Sequence, residues 1–211
     1  MIVGVNDPTS SPPTGSGWDR RREQLLSEYE RVALELFAAR SFKAVTVDEI
    51  AEAAGVSART LFRYFPTKDD YLLAFPRRGV AATVEAFALL EPNDPPLAAA
   101  WHMVRDSFLL NRVDVDHLNL WRRAAGDVPE VVARVRGERT QDLLDATAEY
   151  CARSLGVDST DIRCRLFGGI LAGVELAVVE AWGRSGMALA DIVDAADRSI
   201  LVLDPLGGAR S

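Results

Sequence analysis

The sequence predicts an all-α protein of about nine helices. Along most of the 211 residues, apolar side chains recur at three- and four-residue spacing, and no segment shows the sustained alternation of a β-strand. Proline, glycine and short polar stretches separate the periodic segments and indicate where helices end. We therefore expect three N-terminal helices followed by a longer helical region.

The first helix is predicted from Asp19 onward, because residues 1–18 lack periodicity and are rich in Pro, Ser, Gly and Thr. Residues 1–18 are expected to be a disordered extension. Ser41–Ala44 breaks the periodic pattern of the first helix. Thr46 then matches the N-cap of a second helix, and Glu49, three residues later, completes a capping box.

Gly55 is predicted to end the second helix, because glycine adopts a positive φ without steric cost. Ser57 matches the N-cap of a third helix that runs through Phe65. A fourth helical pattern runs from Lys68 toward Leu90, and Pro76 is expected to kink or interrupt it. Further helices are predicted near residues 96–112, 114–126, 129–155, 159–185 and 188–203.

Charge is unevenly distributed along the chain, whose formal net charge is −7. Residues 79–211 carry −7 and residues 19–78 carry +1, so the acidity lies in the later part of the sequence. The segment Ser57–Lys68 contains three cations and no acid. A local basic face suffices for contact with phosphate, because electrostatic fields in physiological salt fall off within about 8–10 Å.

Two short helices joined by a tight turn are predicted at residues 46–65. A helix-turn-helix needs a small residue where the helices touch, a glycine at the turn, and apolar residues on the second helix that face the first. These needs are met, in that order, by Ala51, Gly55, Val56, Leu61 and Phe65. The outward face of the second helix is polar and consists of Ser57, Arg59, Thr60, Arg63 and Tyr64. Such a face suits a DNA major groove about 12 Å wide, although spacing alone leaves two packed helices of an ordinary bundle as an alternative.

Residues 46–68 resemble the helix-turn-helix of the TetR family of bacterial regulators. The family pattern is an opening amphipathic helix followed by T-x-x-x-I-A-x-x-A-G-V-S-x-x-T-[LF]-[YF]-x-[HY]-F-x-x-K. The chain matches this pattern in register at Thr46, Ile50, Ala51, Ala54, Gly55, Val56, Ser57, Thr60, Leu61, Phe62, Tyr64, Phe65 and Lys68. Weaker similarity extends from residue 19 to residue 75, and the remainder resembles the family only in helical layout and length.

The resemblance implies a helix-turn-helix DNA-binding domain at residues 19–75, a ligand-binding and dimerisation domain at 76–205, and a flexible tail at 206–211. It further implies a homodimeric transcriptional regulator, expected to be a repressor that binds a palindromic operator and is released by a small apolar or aromatic effector. An activator is an open alternative, because the fold does not fix the sign of regulation. No cofactor, metal or catalytic residue is expected.

The resemblance also implies which residues bind DNA: Thr46, Val47, Ser57, Arg59, Thr60, Phe62, Arg63, Tyr64 and Lys68. Lys68 is expected to pair with a phosphate at the N-terminus of the fourth helix. Arg59, Thr60 and Arg63 are expected at or near the bases. Two alternatives stay open, namely that Arg63 meets only phosphate or solvent and that Phe62 is a core residue. Arg20–Arg22 forms either a minor-groove arm or a solvated helix start.

A dimer interface is expected on the last two helices, along a side that carries small and apolar residues: Gly169, Gly173, Ala177, Ala181, Ile192, Ala196 and Ile200. The alternative is that these faces pack inside one chain. A ligand pocket is expected among the central helices, lined by Phe87, Trp101, His102, Met103, Arg105, Phe108, His117, Trp121, Phe167 and Leu171. Large apolar residues at helical spacing are also typical of ordinary core, so each of these has that second interpretation.

Other classes of protein are disfavoured by the absence of their motifs. The two histidines do not lie in an HExxH or paired-carboxylate setting, which argues against an enzyme. The longest apolar stretch, Leu166–Gly183, contains Glu175 and Glu180 and therefore predicts a buried helix, not a membrane span. No export signal is evident and the two cysteines lack metal-ligand spacing, so a cytoplasmic protein is expected. A helical scaffold without DNA function is a further alternative.

Overall fold

The computed structural model describes residues 17–93, 96–109, 114–185 and 187–200, with the side chains of 17–20, 107–109 and 183–185 outside that description. Across these residues the chain is helical and contains no strand, which confirms the all-α prediction. The helices are α1 (Gly17–Arg40), α2 (Val47–Ala53), α3 (Ala58–Phe62), α4 (Asp70–Leu89), α5 (Pro96–Leu109), α6 (Val115–Ala124), α7 (Pro129–Leu155), α8 (Ile162–Ser185) and α9 (Leu189–Ile200). The expected extension and tail lie outside the described residues, except that Gly17 and Trp18 already belong to α1.

The turn between α2 and α3 forms where the sequence predicts it. The Thr46 side chain accepts a hydrogen bond from the Glu49 backbone N–H, and the Glu49 carboxylate accepts one from the Thr46 N–H, which completes the capping box. Gly55 adopts a φ of +67° at the turn. The Ser57 side chain caps α3 by accepting from the Thr60 N–H at 3.1 Å. Helix α3 is shorter than predicted and ends at Phe62.

Pro76 does not interrupt α4, which continues through it from Asp70 to Leu89, so the interruption that the sequence allowed beside a kink is wrong. A proline has no backbone N–H, so in a helix the carbonyl four residues earlier loses its usual partner. Here that carbonyl belongs to Leu72, and the indole Nε1 of Trp121 donates to it at 2.6 Å. A side chain from α6 thus satisfies the group that Pro76 leaves open, and the helix continues.

Two clusters of buried side chains form the core. The first joins α1, α2, α3 and the start of α4, and it includes Leu61 and Tyr71. It also takes in Ala124, Ala125 and Val128 from the turn between α6 and α7. The second cluster joins α5, α7, α8 and α9 around Trp101. The α6–α7 turn therefore belongs to the same core as the helix-turn-helix, and the backbone N–H of Phe42, in the loop between α1 and α2, donates to Asp127 Oδ1 of this turn at 3.3 Å.

A buried polar junction also ties α1 to the helices behind it. The carboxylate of Glu30 is fully buried and forms an ion pair with Arg78 of α4. His117 of α6 places its Nε2 atom 3.5 Å from Glu30 Oε1 and stacks on the ring of Phe75 at 4.5 Å between centroids. This junction connects three helices at the base of the helix-turn-helix.

None of the described helices is both long and apolar enough to cross a membrane.

Candidate nucleic-acid interface and cavities

Helix α3 is divided into a buried side and an exposed side. Leu61 is fully buried in the first core, whereas Arg59, Phe62 and Arg63 face solvent. Phe62 is 48% exposed, which contradicts the alternative that it is a core residue. Thr60 is half-buried beside the cap residue Ser57, to whose hydroxyl its own lies 2.9 Å away. The outward face predicted from the sequence is thus present on the surface.

Basic and aromatic groups meet beside α3 at Tyr64. Arg63 donates from Nη2 to the Tyr64 hydroxyl at 2.5 Å, and its guanidinium lies 4.6 Å from the centre of that ring. The guanidinium of Arg22 lies 5.9 Å from the same ring. Arg22, on α1, therefore lies next to Tyr64 at the exposed face of α3. The spacing of residues in the sequence did not reveal this contact. The side chain of Arg20 lies outside the described residues.

The start of α2 is held by hydrogen bonds that involve Thr46. The Thr46 hydroxyl lies 2.9 Å from Glu49 Oε2, and Arg40 binds the other carboxylate oxygen of Glu49 at 2.6 Å. The Thr46 backbone N–H and the Arg40 guanidinium together lower the pKa of Glu49 to about 2. Val47 is half-buried and packs against the first core. Of Thr46 and Val47, only Thr46 therefore has an exposed side chain at the N-terminus of α2.

Lys68 precedes α4, at the position predicted for a phosphate contact. Its side chain is half-buried, and Nζ lies 4.4 Å from the centre of the Phe42 ring and 5.7 Å from that of Phe37. Burial lowers the pKa of Lys68, while the carboxylates of Asp127 and Asp69 act in the opposite direction. The ammonium is thus held over aromatic faces, which fixes its position on the surface beside α3.

The side chains predicted for a dimer interface fall into two groups. Gly169, Gly173, Ala177 and Ala181 are exposed on α8. Ile192 and Ile200 are only 7% and 2% exposed, because α9 directs them into the second core, and Ala196 packs against the same cluster. For α9 the structure therefore corresponds to the alternative of packing inside one chain.

Most of the residues predicted to line a pocket belong to the second core or the surface. The fully buried or half-buried members of the core are Phe87, Trp101, Met103, Phe167 and Leu171. His102 is exposed, and Arg105 pairs with Asp106 and Asp197. His117 belongs to the buried junction, and the Phe108 side chain lies outside the described residues. Trp121 and Leu118, which the sequence also suggests as a lining residue, lie on a cavity described below.

That cavity lies between α4, α6, α7 and α8 and has a volume of about 140 Å³. Its apolar wall includes Phe75 and Pro76 of α4, Leu118 and Trp121 of α6, and Leu176 of α8. Four charged residues also line it: Arg136, Arg139, Glu175 and Glu180. The spacing of apolar residues did not predict that these four helices meet, because the wall combines residues more than 100 positions apart.

The charges in this cavity form two ion pairs between α7 and α8. Arg139 binds the Glu175 carboxylate, and Arg136 Nη2 lies 3.4 Å from Glu180 Oε1. The Glu175 side chain is only 8% exposed, whereas that of Arg139 is 36% exposed. Burial lowers the pKa of the Arg139 guanidinium from its ordinary value.

An open cleft of about 750 Å³ lies on the other side of Arg139, between α4 and α7. Its floor is apolar and includes Val80 and Val84. Its α7 side carries the carboxylates of Glu138 and Asp142, among others. Arg139 therefore borders both spaces.

Comparison with known proteins shows to which family this chain is related. The profile of bacterial regulatory proteins of the tetR family matches residues 31–75, and that of the MftR C-terminal domain matches residues 94–202. The regulator TcmR of Streptomyces glaucescens is 31% identical over 194 residues, covering 82% of this chain and 80% of TcmR. The chain belongs to the TetR family. It is a DNA-binding transcriptional regulator, as the sequence predicted.

Two further TetR-family relatives extend the likeness along the whole chain. A protein of Mycobacterium tuberculosis named for mycofactocin biosynthesis regulation, MftR, is 29% identical over 205 residues and covers 93% of both chains. The crystal structure of FadR from Thermus thermophilus, a TetR-family repressor in complex with lauroyl-CoA, superposes with a TM-score of 0.54 at 26% identity. The match covers 88% of this chain and 96% of FadR. The fold is therefore shared with a solved TetR-family protein.

Proposed function

We propose that this TetR-family regulator is a homodimeric repressor that binds a palindromic operator and leaves it when a small apolar or aromatic effector binds. The observation that carries the proposal is the exposed face of α3, on which Arg59, Phe62 and Arg63 face solvent while Leu61 is buried. A short helix with an exposed basic and polar side can enter the major groove and bind both phosphate and base edges.

Within that face, the positions divide into two roles. Arg59 and Thr60 lie at the first turn of α3, the part of a recognition helix that usually meets the bases. Lys68 and the cluster at Tyr64 flank this turn and supply charge for the phosphates. Phe62 offers an aromatic surface to a sugar or a thymine methyl group.

The second subunit of the proposed dimer packs on the outer face of α8. Ile162 and Leu166 are 68% and 58% exposed there, which is unusual for large aliphatic side chains. Gly169 and Gly173 continue the same face, and a Cβ atom built on either would meet nothing within 4 Å. Small residues between exposed aliphatic ones let a second helix approach closely, and a two-fold axis would pair the face with itself.

The proposed effector site is the cavity between α4, α6, α7 and α8. FadR, whose structure contains an acyl-CoA, supports effector binding by this layout. Helix α4 connects the site to DNA, since Phe75 and Pro76 line the cavity while Lys68 lies just before the start of the helix. A ligand that favours a different position of α4 would change the separation of the two α3 helices and so shift the population away from the DNA-binding state.

The proposal is tested by measuring oligomeric state and operator binding together. Sedimentation of the full chain should give a dimer, and L166E should give a folded monomer that binds operator at least about tenfold more weakly, since each tenfold step is only 1.4 kcal/mol. L25E, a change at an exposed leucine of α1, is the matched control and should stay dimeric. A monomeric wild-type protein would contradict the proposal.

The sign of regulation is tested with a reporter gene placed behind the operator. Repression predicts that expression rises when the regulator is deleted and when α3 is inactivated by R59A. A fall of expression on deletion would contradict the repressor proposal and leave the DNA-binding role intact.

A further inference from the structure

The cavity between α4, α6, α7 and α8 contains a buried carboxylate, that of Glu175, which is paired with the more exposed guanidinium of Arg139. Resting on the proposed effector role, we propose that this cavity takes a small organic cation with an apolar ring or chain. Glu175 is its counterion, and the ligand's ammonium group takes the place of Arg139 on that carboxylate.

The aromatic walls favour a cation. Phe75 and Trp121 both line the cavity, and aromatic faces attract cations most strongly where water is excluded. Glu175, on α8, lines the same cavity with a buried carboxylate. A positive group in the cavity is therefore stabilised both by aromatic rings and by a carboxylate.

The burial of the two partners decides which charge a ligand can replace. The Glu175 side chain is 8% exposed and that of Arg139 is 36% exposed. An anionic ligand would take Arg139 and leave Glu175 buried without a partner, which is strongly unfavourable. A cationic ligand keeps Glu175 paired, and the released guanidinium is the partner that already borders solvent.

Arg139 has a place to go once it is released. Its side chain also lines the open cleft between α4 and α7, where Asp142 provides a carboxylate, while Glu138 is already bound by Arg77 at 3.1 Å. The long side chain of arginine can turn from one space to the other without a change in its helix. The pair at the rim, Arg136 and Glu180, keeps its own charges balanced at 3.4 Å.

The size of the cavity limits the ligand. A volume of about 140 Å³ is close to that of an engineered cavity of about 150 Å³ that binds benzene. One ring with a short charged arm therefore fits, and phenethylammonium is a suitable probe. Phenylacetate and 2-phenylethanol are an anionic and a neutral compound of nearly the same size.

The experiment measures the affinity of these three compounds for the full chain by calorimetry. The wild-type protein should bind phenethylammonium at least about tenfold more tightly than either of the other two, because it alone keeps both the ion pair and the cation–π contacts. Equal binding of the three, tighter binding of phenylacetate, or no binding of any of them would overturn the proposal.

Variants locate the effect at Glu175. E175Q should reduce the preference for the cation to less than about threefold, a difference below the usual value of one charged hydrogen bond. D197N is the control, since Asp197 pairs with Arg105 and lines neither this cavity nor the cleft. D197N should keep the preference, and retention of the preference in E175Q would overturn the proposal.

A second variant keeps the test valid if E175Q folds poorly. R139Q leaves the carboxylate without its resident cation, so phenethylammonium should raise the melting temperature of R139Q by more than it raises that of the wild type. An equal or smaller rise in R139Q would count against displacement of Arg139. Operator binding distinguishes the two proposals: a cation that binds without releasing DNA contradicts only the effector role, whereas release by the neutral or anionic compound contradicts only the choice of a cation.

Discussion

At the scale of single residues, the positions that the sequence identified are those governed by local chemistry. Thr46, Gly55 and Ser57 act through neighbours within a few positions, so their roles as caps and turn follow from the residue type. The interruption that was one expected effect of Pro76 is absent, because a residue distant in the sequence compensates for the missing N–H. The Trp121 indole that satisfies the Leu72 carbonyl is 49 positions away, and no pattern in the sequence indicates that distance.

This explanation of Pro76 predicts the effect of W121F. The change removes the indole N–H and leaves the Leu72 carbonyl without a donor, which should lower the free energy of unfolding by about 1–3 kcal/mol. P76A restores a backbone N–H that can reach the same carbonyl, so W121F should cost less in the P76A background. Urea denaturation of the four proteins gives this double-mutant cycle. Equal costs in both backgrounds would contradict the explanation.

Lys68 and Arg59 are expected to have different roles in DNA binding. K68Q should weaken binding to every duplex and lower the slope of log affinity against log salt by about one, because one phosphate contact is lost. R59Q should instead change which bases are preferred. Titration of operator and scrambled DNA at several salt concentrations separates the two. Sequence-blind losses of the same size in both variants would contradict the division of roles.

At the scale of elements, the helix periods predicted the order and approximate bounds of α1 to α9, because each amphipathic face follows from spacing within one helix. The spacing of apolar residues did not show which helix faces pack against one another. The proposed effector cavity combines side chains of four helices, and half of the ten residues expected there belong to the second core, since a large apolar side chain looks the same in the sequence in either place.

The capping box of α2 should be visible in the pH dependence of stability. The pKa of Glu49 is lowered to about 2 in the folded protein, from an ordinary value of 4.5. Its contribution is therefore fully present above about pH 4.5 and is lost as the pH falls through about 2. The difference in unfolding free energy between the wild type and E49Q should be constant above that window and shrink within it. T46S, which keeps the hydroxyl, should show the same pH dependence of stability as the wild type. A difference in unfolding free energy between the wild type and E49Q that grows as the pH falls would contradict this prediction.

The contact between α7 and α8 depends on one glycine. A Cβ atom at Gly168 would lie 2.7 Å from Thr147 Oγ1 and 2.9 Å from the Leu144 carbonyl oxygen. G168A should therefore lower the unfolding free energy by about 1–3 kcal/mol through overpacking. Gly137 of α7 meets nothing within 4 Å, and G137A should leave stability unchanged or raise it by up to about 1 kcal/mol. A tolerated G168A, measured by thermal unfolding, would show that the helices pack differently.

At the scale of the whole molecule, the helix-turn-helix and the helices behind it are joined in three ways. The first core includes the α6–α7 turn, Glu30 forms its buried pair with Arg78, and α4 runs from the DNA-binding side to the cavity. Through these connections, a ligand that binds in the cavity would affect the position of α3. A displacement of α4 would move Lys68 and, in a dimer, would change the separation of the two α3 helices.

The central claim is that α3 presents its exposed face to DNA in two symmetry-related copies. Selection of bound duplexes from a random DNA pool by the full chain tests it most directly. We expect a palindromic motif whose half-sites lie one helical turn apart, about 34–36 Å, or a multiple of that distance. Enrichment of a single asymmetric site, or of no sequence at all, would contradict the account.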